Sequence, residues 1–574
     1  MKRFCLILMF LAAFAPALAQ ESTDSKALLD SIIRKVDAFS AYDRGEHPLG
    51  LFTEDRYRRE ADFAREQLQA LQKVDTAALS KTDRISRELL RFTLQDEIDR
   101  YRFKMHLNPI QADQGFHLNL NYRIRPLSSY RDVKNYLRML EAIPNFASQH
   151  FELMREGLRL GLSQPKVIFK GYESTYQDHI VDDYRESPFF APLEDLPGDL
   201  DPVQKDSVLR VAKRLITDRV VPSFREIKRF FEEEYIPGTR EAIGVSATPG
   251  GRDFYQNRID FYTTSTRYTA RDIHEIGLEE VRRIQAEMNR IIDSVEFEGS
   301  FLEFLSFLRK DPRFYVTSPG ELLKEARDIA KRIDGELPGF FKTLPRRPYG
   351  VKPVPDAIAP KYTGGRYVPP RSETQSGTYL VNTYKLDSRP LYTLPALTAH
   401  EAVPGHHLQG ALNRELASGF PAFRRRLYLS AFGEGWGLYS EYLAAEMGIY
   451  RTPYEKFGQL TYEMWRACRL VVDTGIHALG WSREQAVRFM EEHTALSLHE
   501  INTETDRYIA WPGQALSYKM GEITIRELRR QAEASLGSKF DIREFHEVIL
   551  GEGTVTLPIL RQRVAEYVAA HSKS

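Results

Sequence analysis

Cysteine is scarce in this chain, and so are long apolar runs and any excess of one charge. Among 574 residues only Cys5 and Cys468 are cysteines. Lys and Arg together number 80, which equals the number of Asp and Glu residues. This balance excludes an overall field that would attract nucleic acid or an anionic membrane, and the low cysteine count excludes a scaffold held by many disulfides.

The longest apolar run lies at the N-terminus. Two basic residues precede FCLILMFLAAFAPALA, which ends in Ala17-Leu18-Ala19, with small residues on either side of Leu18. This pattern predicts a cleaved secretory signal peptide over residues 1–19, since the run is shorter than the ~20 residues that span a bilayer. A lipoprotein signal is not expected, because Cys5 lies at the beginning of the run. We therefore expect a periplasmic or secreted bacterial protein with no stable membrane association after cleavage.

Helical periodicity runs through most of the remaining chain. In TARDIHEIGLEEVRRI, Thr269 and Asp272 form a pattern resembling a capping box, and apolar residues then recur at helical spacing. Similar patterns predict a mainly α fold. Residues 20–340 form a mainly helical N-terminal half, and residues 341–574 form a second half that holds nearly every motif described below.

Two segments of the second half depart from helical patterns. Residues 345–370 carry repeated proline and glycine, which excludes a long helix. The following stretch GTYLVNTY, Gly377–Tyr384, is rich in β-branched and aromatic residues and predicts a strand just before the helix of His400. We expect a small β-sheet beside that helix, with this strand as an edge along which an extended peptide could lie.

The segment AHEAVPGHHLQG begins like the helix of a zinc protease. His400 and Glu401 open the H-E-x-x-H pattern, but the position of its second histidine is occupied by Pro404. In a regular helix neither His406 nor His407 could share one metal ion with His400, because the first points away and the second lies two turns along.

Pro404 and the following glycine remove this difficulty. Proline cannot donate to the carbonyl of His400, and its ring collides with the preceding turn. Gly405 adds backbone freedom. We therefore expect a kink after Val403 that returns a later histidine, either His406 or His407, toward His400.

A third metal ligand is expected from the segment SAFGEGWGLYSEYLAAE. Glu434 lies between Gly433 and Gly435, which would let this helix approach the His400 helix closely. Glu441 lies two turns along on a similar face and is interpreted as a supporting or surface carboxylate.

The motifs HEAVPGHHLQ, FGEGWGLYSE, RLVVDTGIHALGW and WPGQALSYKMG together resemble the bacterial family called domain of unknown function 885, which is grouped with the zincin metallopeptidases. The resemblance covers nearly all of the mature chain. It implies a large helical zincin-like metallopeptidase fold that binds Zn²⁺. The Gly405-His406 pair looks like the H-E-x-G-H centre of helical carboxypeptidase-like zincins, which implies His406 as the second ligand and His407 as a contact either for substrate or for the residues around the metal ligands.

The expected chemistry follows from these ligands. Zinc held by His400, His406 and Glu434 would polarise a carbonyl and activate a water molecule, with Glu401 as the general base. Related helical zincins place tyrosine or histidine donors downstream of the metal motif, which favours Tyr518, with Tyr508 as the alternate, for stabilising the oxyanion.

Two arginines are predicted to contact substrate. Arg507 lies in the same segment as the two tyrosines, and Arg469 could bind a C-terminal carboxylate. We favour instead a structural pair between Arg469 and Asp473, one turn apart, and we interpret Lys519 as solvated.

The predicted function is hydrolysis of short peptides, since a long helical N-terminal half would restrict the cleft. The residues leave open aminopeptidase, carboxypeptidase and oligopeptidase action, the side-chain specificity and the oligomeric state. A zinc-dependent hydrolase of a modified amide remains an alternative, as does an inactive zincin scaffold that only binds a partner.

Overall fold

The computed structural model describes residues 24–112, 114–356, 359, 362–372, 374–416 and 420–572. Helices account for most of them, which confirms the predicted mainly α fold. The predicted signal peptide, residues 1–19, lies outside the described residues. Within the described residues, no helix is both long and apolar enough to cross a membrane.

The chain divides into two compact units, and the first comprises residues up to Leu79, Leu90–Phe254 and Ile509–Trp511. The predicted division of the chain near residue 340 was based on the distribution of sequence motifs, and it stays a prediction. From the N-terminus through residue 262 the helices are α1 (24–38), α2 (Glu54–Leu71), α3 (Lys81–Arg102), α4 (Tyr130–Arg159), α5 (Ser174–Gln177), α6 (Ala191–Glu194), α7 (Pro202–Leu215), α8 (Val221–Arg229), α9 (Ile236–Gly238) and α10 (Gly251–Tyr262).

Buried histidines pack with aromatic side chains in the first unit. The ring of His150 stacks on Phe116 with centroids 4.5 Å apart, and the ring of His179 stacks on Phe224 at 4.2 Å. Burial lowers the pKa of both histidines to about 4. These histidines are therefore neutral members of an aromatic core.

The second unit comprises Ser80–Leu89, Tyr255–Tyr508 and Pro512–Ser574. Its two longest helix pairings are α11 along α18 and α17 along α21. The helices from residue 270 onward are α11 (Ala270–Ser294), α12 (Phe301–Lys310), α13 (Pro319–Phe340), α14 (Leu394–Glu401), α15 (His406–Glu415), α16 (Ala422–Arg426), α17 (Ser430–Glu446), α18 (Pro453–Ala478), α19 (Arg483–His493), α20 (Leu498–Ala510), α21 (Leu516–Leu536), α22 (Ile542–Leu550) and α23 (Leu557–Ser572). The predicted capping box at the start of α11 is confirmed, since Thr269 and Asp272 bond each other's backbone.

A small sheet lies beside α14, as predicted. Its strands are β1 (Tyr349–Pro353), β2 (Gly365–Val368) and β3 (Gly377–Val381), in the order β1-β3-β2. β3 pairs in parallel with β1 and antiparallel with β2. The expectation that β3 is a peptide-binding edge is therefore wrong, because neighbouring strands use both of its sides. The strand beside α14 is the outer strand β2.

Lys519 lies inside the second unit, and its interpretation as a solvated residue is wrong. Its side chain is fully buried, and Nζ lies 2.9 Å from Glu280, 2.8 Å from Glu463 and 2.8 Å from Glu522. Burial alone would lower the pKa of this amine, but the three carboxylates raise it above its usual range. Lys519 is thus a buried cation that links α11, α18 and α21.

Candidate metal centre

The predicted metal helix is broken into two helices. α14 ends at Glu401 and α15 begins at His406, so the break includes the Pro404-Gly405 pair and starts two residues earlier than expected. The freed backbone groups find other partners. The N–H of Gly405 donates to the carbonyl of Ala399 at 3.0 Å, and the indole of Trp436 donates to the carbonyl of Pro404 at 2.8 Å.

This break brings the side chains of His400 and His406 next to each other. Their rings are nearly perpendicular, with centroids 4.7 Å apart. The Nε2 atoms of both histidines lie 3.5 Å from Oε2 of Glu434 on α17. One ligand atom from each of the three residues falls within 4.8 Å of the other two. The three side chains predicted as ligands therefore converge.

The spacing of these atoms fits a zinc ion. Ligand atoms placed about 2.1 Å from a tetrahedral zinc lie about 3.4 Å apart, which is close to the 3.5 Å separations observed here. Two imidazoles and one carboxylate are also a donor set that suits zinc. These residues could hold one divalent ion and leave a coordination position open.

His400 is oriented by a second carboxylate. Its Nδ1 donates to Oε1 of Glu441 at 2.7 Å, and the Glu441 side chain is fully buried. Burial alone would lower the pKa of His400, but its bonds to Glu434 and Glu441 raise it to about 9. Of the two predicted roles for Glu441, a supporting or a surface carboxylate, the structure fits the first. Its bond to Nδ1 of His400 directs Nε2 of the same ring toward Glu434 and His406.

Glu434 stays ionised within the cluster. Burial alone would raise the pKa of this carboxyl, but His406 and His400 hold it well below its usual range. Glu434 therefore offers a charged carboxylate oxygen between the two imidazoles.

The glycines of α17 act differently from the prediction. Gly433 and Gly435, which were predicted to let α17 approach α14, do not face α14. A Cβ on Gly435 would lie 2.6 Å from Gly521 on α21, and a Cβ on Gly433 would meet the ring of Tyr428. The approach to α14 depends on Gly437, where a Cβ would lie 2.7–2.8 Å from ring atoms of His400. Gly437 thus provides the space that the metal-facing ring occupies.

We expect Gly437→Ala to weaken zinc binding by about 10–100-fold, the loss typical when the support of a metal-binding histidine is removed. The added methyl would displace the His400 ring. Competition of the protein with a chromogenic zinc chelator measures the change. Gly335→Ala on α13 is the matched control, since a Cβ there meets nothing within 4 Å. Equal zinc affinity in both variants would contradict the assigned role of Gly437.

Glu401 is the last residue of α14 and is half-buried. Its Oε2 accepts a 2.7 Å hydrogen bond from the backbone N–H of Tyr367 in β2. This bond links the carboxylate to the outer strand β2, and Glu401 follows His400 directly in sequence. The placement suits the predicted general base.

His407 lies apart from the three converging side chains. Its Nε2 bonds to the carbonyl of Arg347 at 3.0 Å, and its Nδ1 lies 3.3 Å from the hydroxyl of Tyr367. The residue is also almost fully buried. The predicted substrate contact does not fit this geometry, because protein groups take both ring nitrogens. His406 is the histidine that the break places beside His400.

Tyr508 does not fit the predicted role of an oxyanion donor. Its hydroxyl is buried and accepts hydrogen bonds of 2.9 Å from the indole of Trp465 and from Nε of Arg469. Arg469 also pairs with Glu504 at 3.1 Å. These contacts make Tyr508 and Arg469 parts of one buried network.

The two arginines predicted to contact substrate bind other side chains of that network. Arg507 donates to Glu504 at 2.8 Å and to Gln514 at 2.7 Å. The predicted pair between Arg469 and Asp473 is wrong, because Asp473 instead accepts from the hydroxyl of Tyr255 at 2.6 Å. Both arginines are therefore bound by protein groups, and Arg469 also lies against the ring of Tyr518.

Tyr518 keeps a partly exposed side chain. Its ring lies against the guanidinium of Arg469, 4.4 Å from the ring centroid. Burial raises the pKa of its hydroxyl, and the charge of Glu434 raises it further. The hydroxyl therefore stays protonated, as an oxyanion donor must.

Tyr428 contacts the cluster and was not predicted. Its hydroxyl donates to Oε1 of Glu434 at 2.8 Å. No motif in the sequence distinguishes this tyrosine from the other 28, so sequence reasoning had no signal that could identify it.

Comparisons with known proteins agree with this fold. A model of the family DUF885, described as bacterial protein of unknown function, matches residues 38–564. The crystal structure of a candidate lipoprotein from Colwellia psychrerythraea has a TM-score of 0.83 and 26% identity, over 96% of this chain and 98% of that one. A candidate lipoprotein of unknown function from Shewanella oneidensis has a TM-score of 0.66 and 17% identity, over 95% and 99% of the two chains. No curated protein matches the sequence. The chain belongs to the DUF885 family of bacterial proteins.

Proposed function

We propose that this protein is a zinc-dependent peptidase that hydrolyses short peptides. One observation carries the proposal: a single oxygen of Glu434 lies 3.5 Å from the Nε2 atoms of His400 and His406. Glu401 follows His400 directly in sequence. Two histidines, a carboxylate and an adjacent glutamate are the side chains that a metallopeptidase of this type requires.

The side chains divide the chemistry among them. A bound zinc ion would supply Lewis-acid activation of a water molecule and of the scissile carbonyl. Glu401 would take the proton of the attacking water and pass it to the leaving amine. Tyr518 is the proposed donor to the oxyanion, because its hydroxyl is protonated and interacts electrostatically with Glu434.

The burial of the three converging side chains favours short peptides as substrates. The side chains of His400, His406 and Glu434 are only 4%, 15% and 16% exposed. A thin extended chain can reach recessed ligands that the surface of a folded protein cannot. The pattern of residues 1–19 and the description of two similar structures as candidate lipoproteins support an extracytoplasmic location, in the periplasm or outside the cell.

The proposal is tested by zinc analysis and by incubating the purified mature protein with a library of short peptides. About one zinc ion per chain and peptide cleavage are expected, and the ends of the fragments reveal which terminus is recognised. Cleavage of intact folded proteins at a similar rate would contradict the proposed substrate. Bound zinc without cleavage would favour the alternatives, another amide substrate or a binding role.

His406→Ala is expected to lower the zinc content from about one ion per chain to near zero, because two ligands hold zinc far more weakly than three. Elemental analysis after dialysis against a weak chelator measures this. His499→Ala is the control, since His499 is exposed and remote in sequence from the motif. Full zinc content in the His406→Ala protein would refute the assigned ligand set.

A further inference from the structure

Tyr428 combines an exposed ring with a fixed hydroxyl. The side chain is 56% exposed, which is unusual for a large aromatic residue that contacts a buried cluster. Its hydroxyl nevertheless donates to Oε1 of Glu434 at 2.8 Å. The residue lies two positions before α17, the helix that supplies Glu434.

A glycine fixes the position of this ring. A Cβ on Gly433 would lie 2.4 Å and 2.7 Å from two ring carbons of Tyr428 and 2.8 Å from its hydroxyl oxygen. Those separations are shorter than any real contact, so only glycine lets the ring lie over the first turn of α17. The ring is therefore packed against the backbone that carries Glu434.

The two oxygens of Glu434 consequently have different partners. Oε1 accepts from Tyr428, whereas Oε2 faces both histidines at 3.5 Å. A carboxylate can bind a metal ion through one oxygen or through both. A donor held on Oε1 opposes rotation of the carboxylate into the second arrangement.

We propose that Tyr428 is a positioning residue that restricts Glu434 to one metal-binding oxygen and so keeps a coordination position open for water and substrate. This inference rests on the metal centre of the proposed function. A catalytic zinc site needs such a position, whereas a structural site has all of its positions filled by protein. With both oxygens of Glu434 bound, the open position would be lost.

Cobalt substitution of the full mature chain tests this inference without relying on activity. Visible absorption by each bound Co²⁺ ion decreases as its coordination number rises, so the spectrum reports whether a further oxygen has bound. We expect Tyr428→Phe to bind one Co²⁺ ion but to lose visible absorption relative to the wild type. With zinc, its kcat for peptides should fall by about 10–100-fold.

Gly433→Ala is a second variant that keeps the hydroxyl and displaces the ring, and we expect it to change the cobalt spectrum in the same direction. Tyr122→Phe is the matched control, since Tyr122 is 80% exposed and lies in the first unit. Its cobalt spectrum should equal that of the wild type.

The outcomes separate this inference from the proposed function. A cobalt spectrum of Tyr428→Phe identical to that of the wild type overturns the role of Tyr428, even where peptides are cleaved. A changed spectrum supports that role even if no peptide is hydrolysed by the wild type. Failure of the wild type to bind Co²⁺ overturns the metal centre and, with it, this inference.

Discussion

Glu401→Gln is expected to lower kcat for peptide hydrolysis by about 10²–10⁴-fold, the usual contribution of a general base. An amide cannot accept the proton of the attacking water. The amide oxygen can still accept the hydrogen bond from the N–H of Tyr367 that now holds the carboxylate at 2.7 Å, so the fold around the site should survive. Steady-state hydrolysis of one peptide from the library measures the loss.

The zinc content of the Glu401→Gln protein distinguishes its role from that of a ligand. We expect about one ion per chain, as in the wild type, since Glu401 is not among the three converging side chains. Glu336→Gln is the matched control, because Glu336 is exposed on α13. A kcat within about tenfold of the wild type would exclude Glu401 as the base, and loss of zinc would instead make it a ligand.

Local chemistry explains why the convergence of His400, His406 and Glu434 could be predicted. The effect of Pro404 and Gly405 on a helix depends on backbone groups within a few residues of them. The structure accordingly begins α15 directly after this pair, whereas α14 already ends at Glu401, three residues before Pro404. The same holds for the capping box of Thr269 and Asp272, in which each residue bonds the other's backbone.

Contacts between helices distant in sequence explain the errors. Arg469 and Asp473 have the spacing of a helical pair, but α20 offers Glu504 to the arginine and α10 offers Tyr255 to the aspartate. The spacing within one helix contains no information about such competitors. Strand β3 was predicted at the right place, although it ends at Val381 and not at Tyr384. Its central position depends on a strand on each side of it.

Close packing was also invisible in the sequence. Three glycines in FGEGWG have equivalent local surroundings, but in the structure they meet Tyr428, α21 and His400 respectively. Which glycine matters for the metal ligand depends on the angle between α14 and α17. The role of Gly437 therefore required the three-dimensional structure.

Lys519→Met is expected to lower the free energy of unfolding by about 3–5 kcal/mol, the loss typical when one partner of a buried ion pair is removed. The amine lies within 2.9 Å of Glu280, Glu463 and Glu522. Arg283 and Arg526 also bind Glu463, but they are partly exposed and cannot replace a cation at the centre of the three carboxylates. Methionine would fill the volume and leave those charges buried with less compensation.

The midpoint of urea unfolding measures this loss, with Lys324→Met as the control. Lys324 is exposed on α13, and its replacement should change the free energy by no more than about 0.5 kcal/mol. Combining Lys519→Met with Glu522→Gln should recover part of the stability, because that change removes one of the uncompensated charges. If the double variant were no more stable than Lys519→Met alone, the loss would come from packing of the lysine stem and not from its charge. The same three glutamates also have the spacing of a possible metal site. Lys519 already occupies the space among them, so we propose the histidine cluster as the metal site.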